Sequence, residues 1–373
     1  MNAPRVPRTR TVDVDDLERF DALVAAGATS MHGWHLQSVD LRGRSTELVR
    51  LHASGAIFMG CTFAPGMEGR LRSRGALLFP QLPDIPFNAY RGHLYTGAEL
   101  YAGIAAGEYE STPDARIYQW SLQAGAGRML HSTLATAMHD HAISDALDET
   151  LAALAGAGVV GVMGGHQSAR GSTGYAQAAG LGRALAAAGF VVATGGGPGA
   201  MEAANLGAYL STYDDDALAG ALRTLGAVPG FRPSITGWAR SAAAVLAQFP
   251  AGADSLGIPT WFYGHEPPNL FATRIAKYFA NAIREAVLLA RSTGGIVFLP
   301  GAAGTVQEIF QDACENYYAA AEAVAPMVLV GSAYWQDVLP VRPLLASLAG
   351  GRAMAAHVHV VDTVAEAVAV LAR

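Results

Sequence analysis

One stretch of this sequence combines the residue types that bind a phosphate group. It reads Pro300-Gly-Ala-Ala-Gly-Thr-Val-Gln-Glu308 and follows the unbroken apolar run Ile296–Leu299. An apolar run without alternation is typical of a parallel strand that is covered on both faces. The residues after Gly304 keep helical spacing, so the stretch predicts a strand, a glycine turn and a helix. Free N–H groups and the positive dipole at such a helix start bind anions. We therefore expect a phosphorylated substrate at this turn.

Two further glycine turns follow apolar runs. Gly164-Gly165, with Ser168 close behind, follows Val159–Met163, and Gly195–Gly199 follows Phe190–Thr194. Ligands of open parallel sheets bind beyond the carboxyl ends of the strands. A single glycine turn is weak support, because glycine is the usual residue wherever φ is positive. Three such turns in one sheet favour a phosphate or nucleotide site.

Two common nucleotide-binding motifs are missing from the sequence. No G-x-x-x-x-G-K-[ST] motif is present, and the only lysine, Lys277, lies elsewhere. The first strand of the predicted sheet is not followed by G-x-G-x-x-G. P-loop ATP hydrolysis and ordinary NAD binding are therefore disfavoured.

Strand-like apolar runs alternate with helical patterns from Gly158 to the C-terminus. This alternation predicts an α/β protein with a doubly wound, Rossmann-like parallel sheet. A long helix is expected over Asn269–Arg291, and the last helix opens with the capping-box pattern Thr363-x-x-Glu366. Further strands are expected at Leu256–Tyr263, Pro326–Val330 and His357–Val361.

The N-terminal third does not show this alternation of strand and helix patterns. Residues 1–127 are predicted to form a cap region of unknown role, and residues 128–373 a Rossmann-like nucleotide-binding domain. The pieces His35–Leu41, Leu48–Leu51 and Ala56–Met59 indicate a β-rich, irregular region. The five-residue steps Leu36/Leu41 and Phe58/Phe63 leave open a pentapeptide-type β-helix, although repeat folds need several stacked units.

The composition excludes several classes of partner. The chain has 373 residues and a net charge of −6, and it lacks a dense Lys/Arg run, so no nucleic acid is expected. Cys61 and Cys314 have no metal-ligand spacing, nor do His139 and His141, so neither a metal nor another cofactor is expected. Two distant cysteines suggest a reducing compartment. No apolar segment resembles a signal peptide or a membrane span, and we predict a cytoplasmic protein.

Two of these motifs together resemble a known family. Gly195-Gly-Gly-Pro-Gly-Ala-Met-Glu202 and Pro300–Glu308 resemble the G-G-G-x-x-G and P-G-G-x-G-T-x-x-E pair of the Lonely Guy phosphoribohydrolases. Glu266-Pro-Pro-Asn269 looks more like the larger bacterial nucleotide 5′-monophosphate nucleosidases of that superfamily. The resemblance covers roughly Gly158–Val330 and nothing before it.

The resemblance implies hydrolysis of the N-glycosidic bond of a nucleoside 5′-monophosphate, AMP or another, to free base and ribose 5-phosphate. Glu308 would be the carboxylate that stabilises the oxocarbenium-like transition state and orients water. Arg284 would supply the family's arginine, fixing Glu308 and contacting the substrate. A homodimer or larger homo-oligomer is also implied. The implied phosphate-binding residues are Gly301, Ala303, Gly304 and Thr305, and the implied nucleotide-binding residues are Gly164, Gly165, Ser168, Gly196, Gly197, Gly199 and Glu202.

The sequence departs from the family pattern at two positions. Ala302 replaces the second glycine of the signature, which alanine can do only with a negative φ, and Gln307 stands where many members have a first glutamate. Two roles also have structural alternatives. Thr305-x-x-Glu308 is itself a capping-box pattern, so Glu308 has the alternative role of capping its helix. Arg284 has the alternative of an ordinary surface arginine.

Two other functions compete with hydrolysis. A non-catalytic nucleotide or phospho-ligand sensor would use the same turns, and Ala302 slightly favours it. Proteins of this family are also often labelled lysine decarboxylases, an activity in which pyridoxal phosphate forms a Schiff base with a lysine. Only Lys277 is available for that role, inside a predicted helix, so we expect no decarboxylase.

Overall fold

The computed structural model describes residues 11–123, 129–154, 156, 158–262 and 266–372. They form two compact units. The first contains the described residues up to His93 and those of 129–147, and the second contains Leu94–Gln123 and the described residues from Asp148 onward. The predicted boundary between residues 127 and 128 falls within 124–128, which lies outside the described residues.

Short parallel strands alternate with helices in the first unit. The sheet order is β1-β2-β3-β4, and each neighbouring pair is parallel. The elements are β1 (Val12–Val14), α1 (Leu17–Ala25), β2 (Trp34–Gln37), α2 (Ser45–Arg50), β3 (Ile57–Met59), α3 (Met67–Ser73) and β4 (Leu77–Phe79).

These elements form a regular repeat. The strands begin at residues 12, 34, 57 and 77, so successive starts are 22, 23 and 20 residues apart. The register aligns Val14, Leu36 and Phe58 side by side, and each is at most 1% exposed. Each strand and helix thus buries its apolar face against the next, as in stacked repeat proteins. Two of the predicted strand pieces are confirmed at β2 and β3. The third, Leu48–Leu51, is wrong, because Leu48–Arg50 belong to α2 and Leu51 is its C-cap. The pentapeptide-type β-helix is wrong, because helices connect the strands.

The second unit contains the predicted alternation of strands and helices. A π-helical turn, Tyr334–Val338, precedes its penultimate helix. The elements are α4 (Gly97–Leu100), α5 (Pro113–Gln123), α6 (Leu130–Ala153, whose residues divide between the two units), β5 (Val159–Met163), α7 (Thr173–Ala187), β6 (Val191–Thr194), α8 (Ala200–Tyr209), α9 (Asp215–Gly226), α10 (Ile235–Gln248), β7 (Leu256–Gly257), β8 (Arg274–Ile275), α11 (Asn281–Arg291), β9 (Ile296–Phe298), α12 (Ala303–Tyr318), β10 (Met327–Val330), α13 (Val341–Ala349), β11 (Val358–Val361) and α14 (Val364–Leu371).

The sheet of the second unit confirms the predicted fold class. Its strand order is β11-β10-β9-β5-β6-β7-β8, and all its pairs are parallel. The chain proceeds from β5 towards β8 on one side and from β9 towards β11 on the other. The strand order therefore reverses between β5 and β9, which is the point where doubly wound sheets open a crevice for ligands.

The segment before α11 differs from the prediction. The sequence predicts a helix from Asn269 onward, but α11 begins only at Asn281, and β8 precedes it. Asn269 is fully buried, and its side-chain oxygen accepts hydrogen bonds from the backbone N–H groups of Phe271 (3.1 Å) and Ala272 (3.0 Å). A side chain that satisfies nearby backbone groups in this way competes with helix formation.

Two local predictions have different outcomes. The capping box of α14 is confirmed, because Thr363 Oγ1 accepts from the Glu366 N–H at 3.2 Å and the Glu366 carboxylate accepts from the Thr363 N–H at 3.0 Å. The strand predicted to start at Leu256 is only two residues long in β7. Pro259, which has no N–H for a strand ladder, follows it closely. None of the described helices combines the length and apolar character needed to cross a bilayer.

Candidate functional site

The turn after β9, Gly301–Thr305, leads directly into α12. Helix α12 begins at Ala303, and its N-cap residue, Ala302, makes no side-chain capping bond. The φ of Ala302 is −104°, a negative value that alanine can adopt. Thr305 lies inside the first turn of the helix, three residues after the N-cap position. The capping-box alternative for Thr305 and Glu308 is therefore wrong, and Glu308 does not cap α12.

Close packing at Gly301 and a hydrogen bond from Tyr334 fix the β9 turn. A Cβ at Gly301 would lie 2.2 Å from Thr305 Oγ1 and 3.1 Å from the Gly165 nitrogen, so only glycine fits there. Tyr334 donates its hydroxyl hydrogen to the Gly301 carbonyl oxygen at 2.7 Å. Gly304, by contrast, faces open space, with no atom within 4 Å of a Cβ placed there. The turn is fixed but its outer surface is open.

The turn after β5 packs closely against both of the other glycine turns. A Cβ at Gly164 would lie 2.9 Å from the Ala200 Cβ. The Gly165 N–H donates to the Pro300 carbonyl at 3.3 Å, and the Gly165 carbonyl accepts from the Ala200 N–H at 3.2 Å. These bonds tie the start of α8 and the β9 turn to the end of β5, at the reversal of strand order.

The turn after β6, Gly195–Gly199, is buried and closely packed at two of its glycines. A Cβ at Gly196 would lie 2.6 Å from Pro259, and one at Gly199 would lie 2.6 Å from the Gly165 carbonyl oxygen; both residues have positive φ, +70° and +75°. Asn269 donates from its backbone N–H to the Gly196 carbonyl (2.8 Å) and from Nδ2 to the Gly197 carbonyl (3.2 Å). Two of the carbonyl groups of this turn are thus used inside the protein.

Glu308 and Arg284 form an ion pair at the edge of the same crevice. Arg284 Nη1 lies 3.6 Å from Glu308 Oε1, and the two side chains are only 13% and 16% exposed. Arg284 is therefore not a surface arginine. Burial raises the pKa of Glu308 from 4.5 to about 7; the charge of Arg284 opposes this shift, and Glu285 adds to it. Near neutral pH, this carboxyl group can exchange its proton.

Glu285 is a site residue that the sequence reasoning missed. Its Oε1 accepts from Asn281 Nδ2 at 2.6 Å, and its Oε2 accepts from Gln307 Nε2 at 2.7 Å. Gln307, which departs from the family pattern, therefore holds a carboxylate of the neighbouring helix beside Glu308. Nothing in the local sequence around Glu285 indicates this, because the contact joins two helices.

The three glycine turns, Arg284 and Glu308 surround one cavity of about 700 Å³, which we call the glutamate cavity. His166, Glu266 and Tyr334 also line it. The predicted site residues in its wall are Gly164, Gly165, Ser168, Gly197, Arg284, Gly301, Ala303, Gly304, Thr305 and Glu308.

Three predicted nucleotide-binding residues, Gly196, Gly199 and Glu202, are not in that wall. Glu202 is fully buried and paired with Arg170; its Oε2 accepts from Arg170 Nε at 2.9 Å. Gly199 and Glu202 line a neighbouring cavity of about 560 Å³. Gly196 serves the packing of the β6 turn.

Lys277 lies apart from both cavities. Its ammonium group donates to Asp114 Oδ1 at 2.6 Å and lies 4.8 Å from the centre of the Trp261 ring. The side chain is 1% exposed, and burial lowers its pKa, which Asp114 partly offsets. An amine enclosed in this way is not accessible to form a Schiff base, which agrees with the expectation of no lysine decarboxylase. Among the described residues, no group of three or more His, Cys, Asp or Glu side chains is arranged to hold a metal ion.

Comparison with known proteins gives only distant structural likeness. No protein-family model and no curated protein matches the chain. The molybdenum cofactor carrier protein MCP from Chlamydomonas reinhardtii matches with a TM-score of 0.36 and 20% identity, over 58% of this chain and 99% of that one. The molybdenum cofactor binding protein from Rippkaea orientalis matches with a TM-score of 0.35 and 18% identity, over 58% and 95%. Likeness at this level does not identify a ligand.

Proposed function

We propose that the protein hydrolyses the N-glycosidic bond of a nucleoside 5′-monophosphate, releasing the free base and ribose 5-phosphate. The observation that carries the proposal is the partly buried ion pair of Glu308 and Arg284 in the same cavity as the open β9 turn. A phosphate site alone suits many ligands. A phosphate site with a carboxyl group one helical turn further along suits a phosphorylated sugar.

The phosphate end of the substrate would bind at the start of α12. The first N–H groups of a helix have no partner within the helix, and the helix dipole adds positive potential there. Ala303 and Gly304 are exposed at this position, and Thr305 adds a hydroxyl group. Arg284 lines the same cavity, so its guanidinium adds positive charge beside the substrate.

Glu308 would act at the sugar. It lies three residues beyond Thr305, about 4.5 Å along the helix axis at 1.5 Å per residue. As a carboxylate it stabilises positive charge at C1′ and takes a proton from the attacking water. The C1′–N bond breaks with its electron pair going to the base, and the water oxygen becomes bonded to C1′. The base gains one proton, which balances the proton that Glu308 takes from the water and then releases. Arg284 keeps Glu308 more acidic than burial alone would allow.

The experiment that tests this function is chromatographic detection of free base after the protein is incubated with a panel of nucleoside 5′-monophosphates. We expect stoichiometric base and ribose 5-phosphate from at least one of them, and none from the matching nucleosides, which lack the phosphate. If nucleotides bind and shift the melting temperature but no base is released by the wild-type protein, the protein is a nucleotide sensor, and the proposal is wrong.

A further inference from the structure

A histidine–glutamate pair lies on the wall of the glutamate cavity, and the proposed reaction gives it no role. His166 Nδ1 lies 3.6 Å from Glu266 Oε1, and the two side chains are 47% and 39% exposed. Both residues line the cavity. An ion pair with this much exposure contributes little to stability. The fold therefore does not need the pair, and its place in the cavity wall points to a function there.

The backbone of His166 is fixed between two glycine turns. Gly165, directly before it, donates its N–H to the Pro300 carbonyl at 3.3 Å, and its own carbonyl accepts from the Ala200 N–H at 3.2 Å. A Cβ at Gly199 would lie 2.6 Å from the His166 carbonyl oxygen. The histidine thus has a defined position one residue away from the contact with the β9 turn, where the phosphate would bind.

Glu266 also has a fixed position. It begins the motif Glu266-Pro-Pro-Asn269, whose two prolines restrict the backbone between its ends. Asn269, at the other end, is fully buried and donates from Nδ2 to the Gly197 carbonyl at 3.2 Å. Glu266 Oε2 lies 3.4 Å from a Cβ placed on the same Gly197. The motif therefore holds the carboxylate against the β6 turn.

The histidine–glutamate pair and the pair of Arg284 and Glu308 contact the β6 turn at positions two residues apart. Arg284 Nη1 lies 3.6 Å from a Cβ placed on Gly195, and Glu266 Oε2 lies at Gly197. All four charged side chains line the glutamate cavity. A nucleotide whose sugar lies at Glu308 can therefore reach the histidine with its base.

The proposed hydrolysis needs a proton donor that has not been assigned. A base that leaves C1′ with an electron pair is a poor leaving group unless one of its atoms is protonated, and Glu308 acts on the water. Histidine is the side chain that most often serves as a general acid. A carboxylate at one ring nitrogen orients an imidazole and stabilises its protonated form. With Glu266 at Nδ1 of His166, Nε2 is the nitrogen left for a ligand.

We propose that His166 is the general acid that protonates the leaving base, and that Glu266 is its positioning residue. The inference rests on the proposed function, since it needs a nucleotide with its sugar at Glu308. Nε2 gives its proton to a nitrogen or oxygen of the base as the C1′–N bond breaks, and the electron pair of that bond stays with the base. Glu308 takes a proton from the water that bonds to C1′. Solvent then removes the proton of Glu308 and returns one to His166, so no other reactant is needed.

A substrate that needs no protonation of its leaving group tests this role. The best nucleotide from the panel is compared with 4-nitrophenyl β-D-ribofuranoside 5-phosphate, because 4-nitrophenolate leaves as the anion. The variants are His166→Ala, Glu266→Gln and His166→Gln, which keeps a hydrogen-bonding side chain that cannot deliver a proton. His141→Ala is the matched control, because His141 is exposed on α6 and is not in the cavity wall. Urea unfolding checks that each variant is folded.

We expect both His166 variants to lose roughly 10²-fold or more in kcat on the nucleotide. Their KM should stay within threefold, and their rate on the nitrophenyl substrate should also stay within threefold. Glu266→Gln should lose about tenfold in kcat on the nucleotide alone, and it should add nothing in a protein that already carries His166→Ala. His141→Ala should change neither rate.

An unchanged kcat in His166→Ala, or an equal loss on the two substrates, overturns the role of His166. If the wild type does not cleave the nitrophenyl substrate, added imidazole decides: it should restore part of the nucleotide rate of His166→Ala, and no restoration overturns the role. The two proposals fail separately. Base release at the full rate by His166→Ala rejects only the general acid, whereas no base release by the wild type rejects hydrolysis and the general acid with it.

Discussion

The β6 turn and the β9 turn look alike in sequence, but their glycines serve different purposes. In the β6 turn, a Cβ at Gly196 or Gly199 would lie 2.6 Å from neighbouring atoms, and two of the carbonyl groups accept hydrogen bonds from Asn269. In the β9 turn, Gly301 is similarly enclosed, but Gly304 faces open space. The first turn is mainly a packing element, and the second exposes its helix start.

The difference shows what a glycine motif means in a doubly wound sheet. Glycine permits close approach of backbone segments as well as close approach of a ligand. Three turns lie close together at the reversal of strand order, so some of their glycines are needed to let one turn pack against another. Only the remaining open positions are available to a phosphate. The first two predictions below separate the two uses, and the next two test the pair of Glu308 and Arg284 beside the open turn.

Gly199→Ala should destabilise the fold by about 3 kcal/mol or more, because it combines a positive φ with a backbone clash. The clash is with the Gly165 carbonyl oxygen, 2.6 Å from the new Cβ. Urea unfolding measures the effect. Gly180→Ala is the matched control: it lies in α7 with no atom within 4 Å, and it should be neutral or stabilising by up to about 1 kcal/mol. Equal stability of the two variants would contradict the packing role.

Gly304→Leu should leave the fold intact and disrupt the ligand site. The new side chain enters open space at the start of α12, and leucine is a better helix former than glycine. We expect the urea midpoint to stay the same or rise, and the affinity for ribose 5-phosphate to fall at least tenfold, measured by calorimetry. A variant that binds ribose 5-phosphate normally would show that the phosphate lies elsewhere.

Glu308→Gln should change how stability depends on pH. The pKa of Glu308 in the folded protein, about 7, is above its ordinary value of 4.5. The folded state therefore binds the proton more tightly, and its free energy of unfolding falls as pH rises from about 4.5 to about 7. Glutamine does not titrate, so the free energy of unfolding of the variant does not fall in this way. The free energy of unfolding of the variant, relative to that of wild type, should therefore rise by about 2 kcal/mol between these pH values.

The comparison with wild type isolates Glu308, because Asp15 and Asp312, whose pKa values are also raised, to about 6 and about 8, are present in both proteins. Urea unfolding at several pH values provides the measurement. A stability difference that stays constant from pH 4 to pH 8 would mean that Glu308 titrates normally.

Arg284→Met should raise the pKa of Glu308 further, because the positive charge that lowers it is removed. The pH at which the rate of base release is half-maximal should move upward by about one unit. Arg291→Met is the control on the same helix, since Arg291 pairs with Asp148 through Nε at 2.7 Å and is not part of the cavity wall. An unchanged pH profile for Arg284→Met would mean that the two residues are not coupled.

Much of the second unit can be predicted from sequence, because the residues within each short segment indicate whether it forms a strand, a turn or a helix. Buried strands such as Val159–Met163 are continuous apolar runs, and the turns after them are marked by glycine. What the sequence does not reveal depends on contacts between distant segments. Asn269 reads as the start of a helix, but it is buried against the β6 turn. Glu285 joins the site only because α11 packs beside α12.

The first unit is harder to predict for a physical reason. Its strands are three or four residues long, too short for alternation to distinguish a strand from a loop. Their stability comes from stacking with their neighbours, such as Leu36 on Phe58, rather than from local propensity. A repeat of 20 to 23 residues is visible only once the strands are aligned.

The most direct test of the central claim compares the rate of base release with affinity in the wild type and Glu308→Gln, using the best nucleotide from the panel. If Glu308 acts on the sugar rather than on binding, the variant should lose roughly 10² to 10⁴ in rate. Its dissociation constant for that nucleotide should stay within threefold of the Michaelis constant of the wild type. A variant that releases base at the wild-type rate, or loses binding and rate in equal measure, would contradict the assignment of Glu308.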